Sequence, residues 1–223
     1  MSELLIRELG RQAYEPVWRA MQEFTNTRNE STPDEIWFCD HESVFTLGLN
    51  TKPEHLLAPG DIPVIQIDRG GQVTYHGPGQ LMIYPLIDLR RAGLGVRDLV
   101  TALEQSVVDL AADYGITAAS RCDAPGVYVD GVKLASVGLR IRRGSSFHGM
   151  ALNVDVDLEP FSRINPCGFK DLQLTDLARL GADSDLAAVR DKLLPHLLRH
   201  FHLDQALSSA SFSGVPTSLQ SPE

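Results

Sequence analysis

Three cysteines, a lysine and a glycine-rich stretch are the places where this sequence could carry chemistry. Cys167 sits in RINPCGF, where a proline before it and a glycine after it fix the thiol's presentation and leave the following N–H open to an oxyanion. Cys122, in SRCDAPG, has a comparable loop setting, and residue chemistry by itself ranks neither thiol above the other. Cys39 ends the apolar run IWFC and reads as a core residue, the commonest fate of a free cysteine. Lys133 begins VKLASVGLRI; if that run is a strand, the lysine shares a face with Ala135, Val137, Leu139 and Ile141. Such a lysine either snorkels at the strand edge or is desolvated, and desolvation moves a lysine toward the range of a working base. A desolvated lysine beside a thiol can take its proton. RGGQVTYHGPGQ, residues 69–80, sets Gly70, Gly71, Gly77 and Gly79 among Arg69, Tyr75 and His76. It is either a glycine-rich bulge and turn or a place where backbone passes close to a ligand. No GK[ST] follows it and the next run reads as strand, so it is neither a Walker A loop nor a dinucleotide fingerprint. His76 and His148 are each a general base, a substrate hydrogen-bonder or a satisfied structural residue. Cys-Asp-His at 39–41 lacks a second pair at zinc spacing.

The elements that must hold these groups are legible as patterns. Tyr14, Val17, Trp18, Met21 and Phe24 fall at helical spacing within residues 11–24. EIWFCDH, SVFTLGL, VIQID and QLMIYPLID read as strands, with TKPEHLLAPGDIP as a connection. Apolar positions from Val96 to Tyr114 advance by three and four toward a stop at Gly115, which predicts a helix. GVYVDGVKLASVGLRI predicts a hairpin at Asp130-Gly131, and RRGSS turns the chain into a further strand, FHGMALNVDVD. TDLARLG and DSDLAAVRDKLLPHLLRHF suggest two more helices, the second interrupted by Pro195 and carrying His196, His200 and His202 on a solvated face. The expectation is an α+β fold: a mainly antiparallel or mixed sheet with helices on one side, one domain over 1–207 and a disordered tail over 208–223.

Composition narrows the function classes. A 223-residue chain with 43% hydrophobic content can bury a substantial core. An odd number of cysteines, three, suits a reducing compartment rather than a disulfide framework. No apolar run approaches the roughly 20 residues of a bilayer span, and the first residues do not read as a signal peptide. The expectation is a soluble cytoplasmic protein with no membrane partner. A net charge of −9 argues against nucleic acid.

Taken together and in order, RGGQVTYHGPGQLMIYPLIDL, GVYVDGVKLASVGLRI, FHGMALNVDVDLEPF and INPCG resemble the octanoyltransferases of lipoate biosynthesis. The resemblance runs from about Arg69 to Gly168 and implies a fold like the catalytic domain of biotin and lipoate protein ligases. It implies transfer of an octanoyl group from octanoyl-acyl carrier protein to a lysine ε-amine. The acceptors it implies are lipoyl domains of 2-oxoacid dehydrogenase subunits and the glycine cleavage H protein. Carried over residue by residue, it makes Cys167 the nucleophile, through an acyl-thioester intermediate, and Lys133 its assisting base. It makes Arg69, Gly70, Gly71, Gln72, Val73, Thr74, Tyr75, His76, Ser136, Val137, Gly138, Gly149, Met150 and Ala151 the substrate-binding segments. No ATP and no metal are implied, since the donor carries its own activated acyl group on phosphopantetheine. Arg140, Arg142 and Arg143, with Arg121, Arg163 and Lys170, are candidates for a basic rim steering acidic partners. An ATP-dependent ligase on the same scaffold, a cysteine hydrolase and a silent acyl-binding module are the competing readings.

Overall fold

Along EIWFCDH, Ile36 and Phe38 point one way and Trp37 and Cys39 the other, and all four are buried. A strand apolar on both faces needs cover on both, and this decides the architecture. The computed structural model describes residues 4–166, 172–202 and 211–213. In chain order these form β1 (Leu4–Gln12), α1 (Tyr14–Thr27), β2 (Asp34–His41), β3 (Val44–Leu47), β4 (Val64–Gln66), β5 (Val73–His76) and β6 (Gln80–Leu86). There follow α2 (Leu89–Ala92), α3 (Val96–Asp113), β7 (Ala119–Ser120), β8 (Gly126–Val129), β9 (Val132–Arg142), β10 (Ser145–Asn153), α4 (Leu186–His200) and β11 (Ser211–Ser213).

Eight strands pair in the order β11-β1-β2-β6-β10-β9-β8-β7, and β4-β3-β5 make a small second sheet. β1 runs parallel to β2 and β11; the other pairings of the large sheet are antiparallel, so it is mixed. Ile36, Phe38, Leu81, Ile83, Met150 and Leu152 join the apolar stripes of α3 and α4 in one core. Trp37, Cys39, Met82, Tyr84 and Ala151 join α1 in another. The helices therefore cover both faces rather than the one side expected, because the central strands carry no polar face. Each large apolar side chain so buried contributes about 1.5–3 kcal/mol.

Several local expectations are revised. The first helix begins at Tyr14, because residues 11 and 12 finish β1, a strand that the sequence reading missed. Residues 73–76 of the glycine-rich stretch pair with β3 as a strand, preceded by a turn. TDLARLG is not a helix: Thr175 pairs with the backbone of Lys133, and Asp176 caps Arg179 in a short turn that closes at Gly181. α4 runs unbroken through Pro195. Its histidines do not face solvent alone, since His196 and His200 bond Asp113 and Asp109 of α3, each at 2.6 Å. Ser211–Ser213 lies beside β1; the rest of the stretch 208–223 falls outside the described residues. No described helix is long and apolar enough to cross a membrane.

Candidate active site

β5, β6, β9 and β10, with the turn before β5 and the side chain of Tyr14, enclose a cavity of about 500 Å³. Its wall is mostly apolar, with Met82, Val100, Val137, Leu139 and Met150, and polar groups enter only at Tyr14, Arg69, His76, Lys133, Ser136, His148 and a few others. Two glycines allow strand and turn to close this tightly. A Cβ on Gly149 would run into the carbonyl of Ile83, and Gly79, at φ +84°, lies against the carbonyl of Asp155.

Lys133 is the second residue of β9, and only 1% of its surface is exposed. The side chain is buried and does not snorkel at the strand edge. The Asp130-Gly131 turn, both residues at positive φ, starts the strand in the phase that sends the side chain inward. Its Nζ donates to the Pro125 carbonyl at 3.2 Å and lies 5.2 Å from the Tyr128 ring centre. Glu104, on the buried side of α3, holds the start of β8 by accepting the Gly126 N–H at 2.7 Å. Burial raises the Glu104 pKa, opposed by that N–H and by the charge of Lys133.

Cys167 lies outside the described residues, but both flanks of its segment are placed. On the approach, Leu57 and Ala58 donate to the Arg163 carbonyl, Ile164 bridges Leu56, Asn165 donates to the His55 carbonyl at 2.8 Å, and Pro166 is buried. On the return, the Lys133 N–H donates to the Gln173 carbonyl at 2.9 Å and the Thr175 N–H donates to the Lys133 carbonyl at 3.0 Å. Of the other thiols, Cys39 is buried, with a pKa pushed well up by that burial, and Cys122 is exposed. Cys122 follows Arg121, which is engaged with Asp123.

The proposed binding segments gather on this cavity. Arg69, Gly70, Gly71, Gln72, Val73, Thr74 and His76 line it on one side, Ser136, Val137 and Gly138 on a second, and Gly149, Met150 and Ala151 on a third. Tyr75 is the exception. Strand alternation turns it away into the small-sheet core, against Phe45 and Phe161, with its hydroxyl 2.9 Å from Ser43 Oγ. Arg69 is buried and grips backbone, donating to the carbonyls of Gly70 and Thr46, so it shapes the wall as well as charging it. The arginine rim is split. Arg163 pairs with Glu159, as Arg121 does with Asp123, and Lys170 lies outside the described residues. Arg142 stands nine residues along β9 from Lys133, about 30 Å away at strand rise.

Some groups at the site were not found from sequence. Tyr14, read only as a helix-face residue, reaches His148 at 3.4 Å, and His148 in turn bonds Asp68 at 3.0 Å. His148 is at φ +56°, and its partners lie on the α1 side although strict alternation would give it the face of Met150. Asp68 is desolvated, yet bonds from His148, Trp18 and Gln22 prevail and hold its pKa below the usual carboxylate range. Burial lowers the pKa of His41 to about 4, and lowers those of His76 and His148. No spacing in the sequence links residues this far apart. Glu104 did leave a signal, a carboxylate four residues after Val100 within the apolar stripe of a helix. Among the described residues no cluster of His, Cys, Asp or Glu is suited to a metal.

Comparison with known proteins matches residues 13–198 to the lipoyl protein ligase A/B catalytic domain. An octanoyltransferase of Pseudomonas fluorescens (strain Pf0-1) is 57% identical over 209 residues, covering 94% of this chain and 96% of its own. One from Xanthomonas campestris pv. campestris (strain 8004) is 59% identical over 198 residues, 89% and 85% of the two chains. Among solved structures, a bipartite lipoate protein ligase from Thermoplasma acidophilum aligns with TM-score 0.75 at 15% identity, covering 98% of this chain and 89% of its own. A biotin protein ligase from Aquifex aeolicus aligns with TM-score 0.53 at 13% identity, covering 95% and 79%; at these identities the likeness is one of fold. A buried lysine at an apolar cavity, on this fold and with relatives this similar, leads to one conclusion: the chain belongs to the lipoyl protein ligase A/B catalytic-domain family and, within it, to the octanoyltransferases, which are acyltransferase enzymes.

Proposed function

We propose that the chain moves an octanoyl group from octanoyl-acyl carrier protein to a lysine ε-amine on lipoyl domains, through a thioester on Cys167. The acceptors are lipoyl domains of 2-oxoacid dehydrogenase subunits and the glycine cleavage H protein, met in the cytoplasm. The observation that carries this reading is Lys133: a buried amine on an apolar cavity, whose own backbone is hydrogen-bonded by the return flank of the Cys167 segment. An amine in that position serves proton transfer between two nucleophiles, a thiol and then an amine.

In the first half-reaction Lys133 takes the Cys167 proton and the thiolate attacks the donor's carbonyl carbon. The carbon–sulfur bond to phosphopantetheine breaks, and the departing thiolate takes up the proton. In the second, the acceptor amine attacks the acyl carbon, Lys133 removes a proton from its nitrogen, and the bond to Cys167 sulfur breaks. Thioester exchange is near-isoenergetic and thioester-to-amide transfer runs downhill, so neither ATP nor a metal is needed. Both steps pass through an oxyanion, for which backbone N–H groups near Gly168 or the 69–80 stretch are the donors. The apolar wall takes the acyl chain, for which about 500 Å³ is ample.

Intact-mass analysis after mixing with octanoyl carrier protein tests this reading. The expected result is one octanoyl adduct, mapped to Cys167, absent from Cys167→Ala and retained in Cys39→Ala and Cys122→Ala. Full transfer by Cys167→Ala would overturn the acyl-enzyme. Adenylate formation from octanoate and ATP would replace the reading with that of a ligase.

A further inference from the structure

One peptide group stands between the buried amine and a buried carboxylate. Lys133 Nζ donates to the Pro125 carbonyl at 3.2 Å, and the N–H of that same peptide unit, on Gly126, is accepted by Glu104 Oε1 at 2.7 Å. The peptide is trans, so its carbonyl and N–H point in opposite directions and the two side chains meet it from opposite sides. A positive charge at the carbonyl and a negative one at the N–H polarise the amide in the same sense, and hydrogen bonds in such a series strengthen one another. The backbone is shaped for this approach. Gly126 is at φ +136°, and a Cβ on it would run into the Ala135 carbonyl and lie 3.4 Å from Lys133 Nζ. Glu104 is buried on α3 beside the core residues Leu103 and Val107. A neutral glutamine would accept the Gly126 N–H at a smaller desolvation cost, so hydrogen bonding alone does not account for a carboxylate here. Of the charged groups on elements packed against α3, Lys133 of β9 is the one at this peptide, with Tyr128 of β8 beside it. Arg140 and Arg142 lie further along β9, and Arg121 pairs with Asp123. On α4, Lys192 pairs with Asp183, Arg190 with Asp191, and His196, Arg199 and His200 with Asp109 and Asp113.

We propose that Glu104 is a positioning residue for Lys133, acting through the Pro125–Gly126 peptide: its carboxylate fixes the carbonyl that holds the amine, and its charge balances the amine's whenever a proton is taken up. Glu104 itself touches neither donor nor acceptor, since it lies behind the cavity wall that Pro125 and Lys133 help to form. The inference rests on the reading of Lys133 as the base of octanoyl transfer and adds the counter-charge that lets a buried amine gain and release a proton in each cycle.

Two measurements test the coupling from its two ends. Glu104→Gln keeps an acceptor for the Gly126 N–H and removes the charge. Octanoyl transfer to a lipoyl domain is then followed across pH. Relative to its own plateau, the variant should run about 3- to 10-fold faster than wild type on the acid side of the profile, because losing a nearby negative charge favours the uncharged amine. A loss by the same factor at every pH would make Glu104 a structural acceptor only and overturn the inference, and so would a profile identical to that of wild type. From the other end, the Gly126 amide resonance reports titration of the carboxylate that it bonds. Burial raises the Glu104 pKa against the Gly126 N–H and the charge of Lys133, so Lys133→Met should move that titration to still higher pH. An unmoved titration would overturn the inference. This readout needs no turnover, so it decides the question even if Glu104→Gln does not fold. Transfer by Lys133→Met within tenfold of wild type would instead remove the reading of Lys133 as the base, which the titration does not touch.

Discussion

Burying an amine costs several kcal/mol unless its surroundings compensate it, and Lys133 Nζ donates to the Pro125 carbonyl and lies over the Tyr128 ring. Lys133→Met keeps the stem and removes the amine. Transfer should fall about 10²- to 10⁴-fold. Transfer within tenfold of wild type in that variant would show that the amine is not the proton carrier. This residue was legible because the Asp-Gly turn fixes the phase of the strand and hence the direction of its second side chain, Lys133. Tyr75 was misplaced for the complementary reason: within a stretch read as loop, no alternation was available to say which residues face the cavity. Cys167 and Cys122 were inseparable by local chemistry, since a proline and a glycine flank many thiols that do nothing.

At the scale of the element, long periodic segments declared themselves and short ones did not. α3 was evident from its apolar positions and Gly115, and the β8–β9 hairpin from two residues. β1 escaped because LLIRELGRQ places only Leu4, Ile6 and Leu9 in the cores, with Gly10 at positive φ where its register with β2 shifts. TDLARLG looked helical by spacing, but pairing of Thr175 with Lys133 outweighs the propensity of so short a run. α4 shows the opposite outcome: its apolar face, with Val189, Leu193 and Leu197, carries the helix through a proline that propensity would have stopped. Pro195 is exposed and leaves the Asp191 carbonyl without its helical donor. Pro195→Ala should therefore stabilise the protein by about 1–3 kcal/mol in urea unfolding. A destabilised variant would mean that the proline holds a bend the core requires.

For the whole molecule, the buried imidazoles set a pH limit. His41, His76 and His148 all have pKa values lowered by burial, His41 to about 4 from 6.5. Below about pH 6.5 the unfolded chain binds protons that the folded one refuses, so their stabilising contribution is complete above that pH and is lost as pH falls toward the folded values. The slope approaches about 1.4 kcal/mol per pH unit for each histidine. Urea midpoints at pH 7.5, 6 and 5 should fall in that order, and a flat series would show these imidazoles to be charged in the fold. Asp68 acts in the same sense but only below the ordinary carboxylate range.

Gln173 to Ala178 touches the large sheet at more than one strand. Its backbone is bonded to Lys133, then, through Leu177 and Ala178, to the carbonyls of Asn153 and Val154, while Thr175 holds the Asn153 side chain. A fluctuation that lifts this short run frees the lysine's end of β9 and the Asn153 side chain together. Amide protons of Lys133, Thr175, Leu177 and Ala178 should therefore exchange with deuterium at one common opening free energy, below that of global unfolding. The Lys133 end of β9 and the Asn153 end of β10 would then open and close as a unit rather than strand by strand.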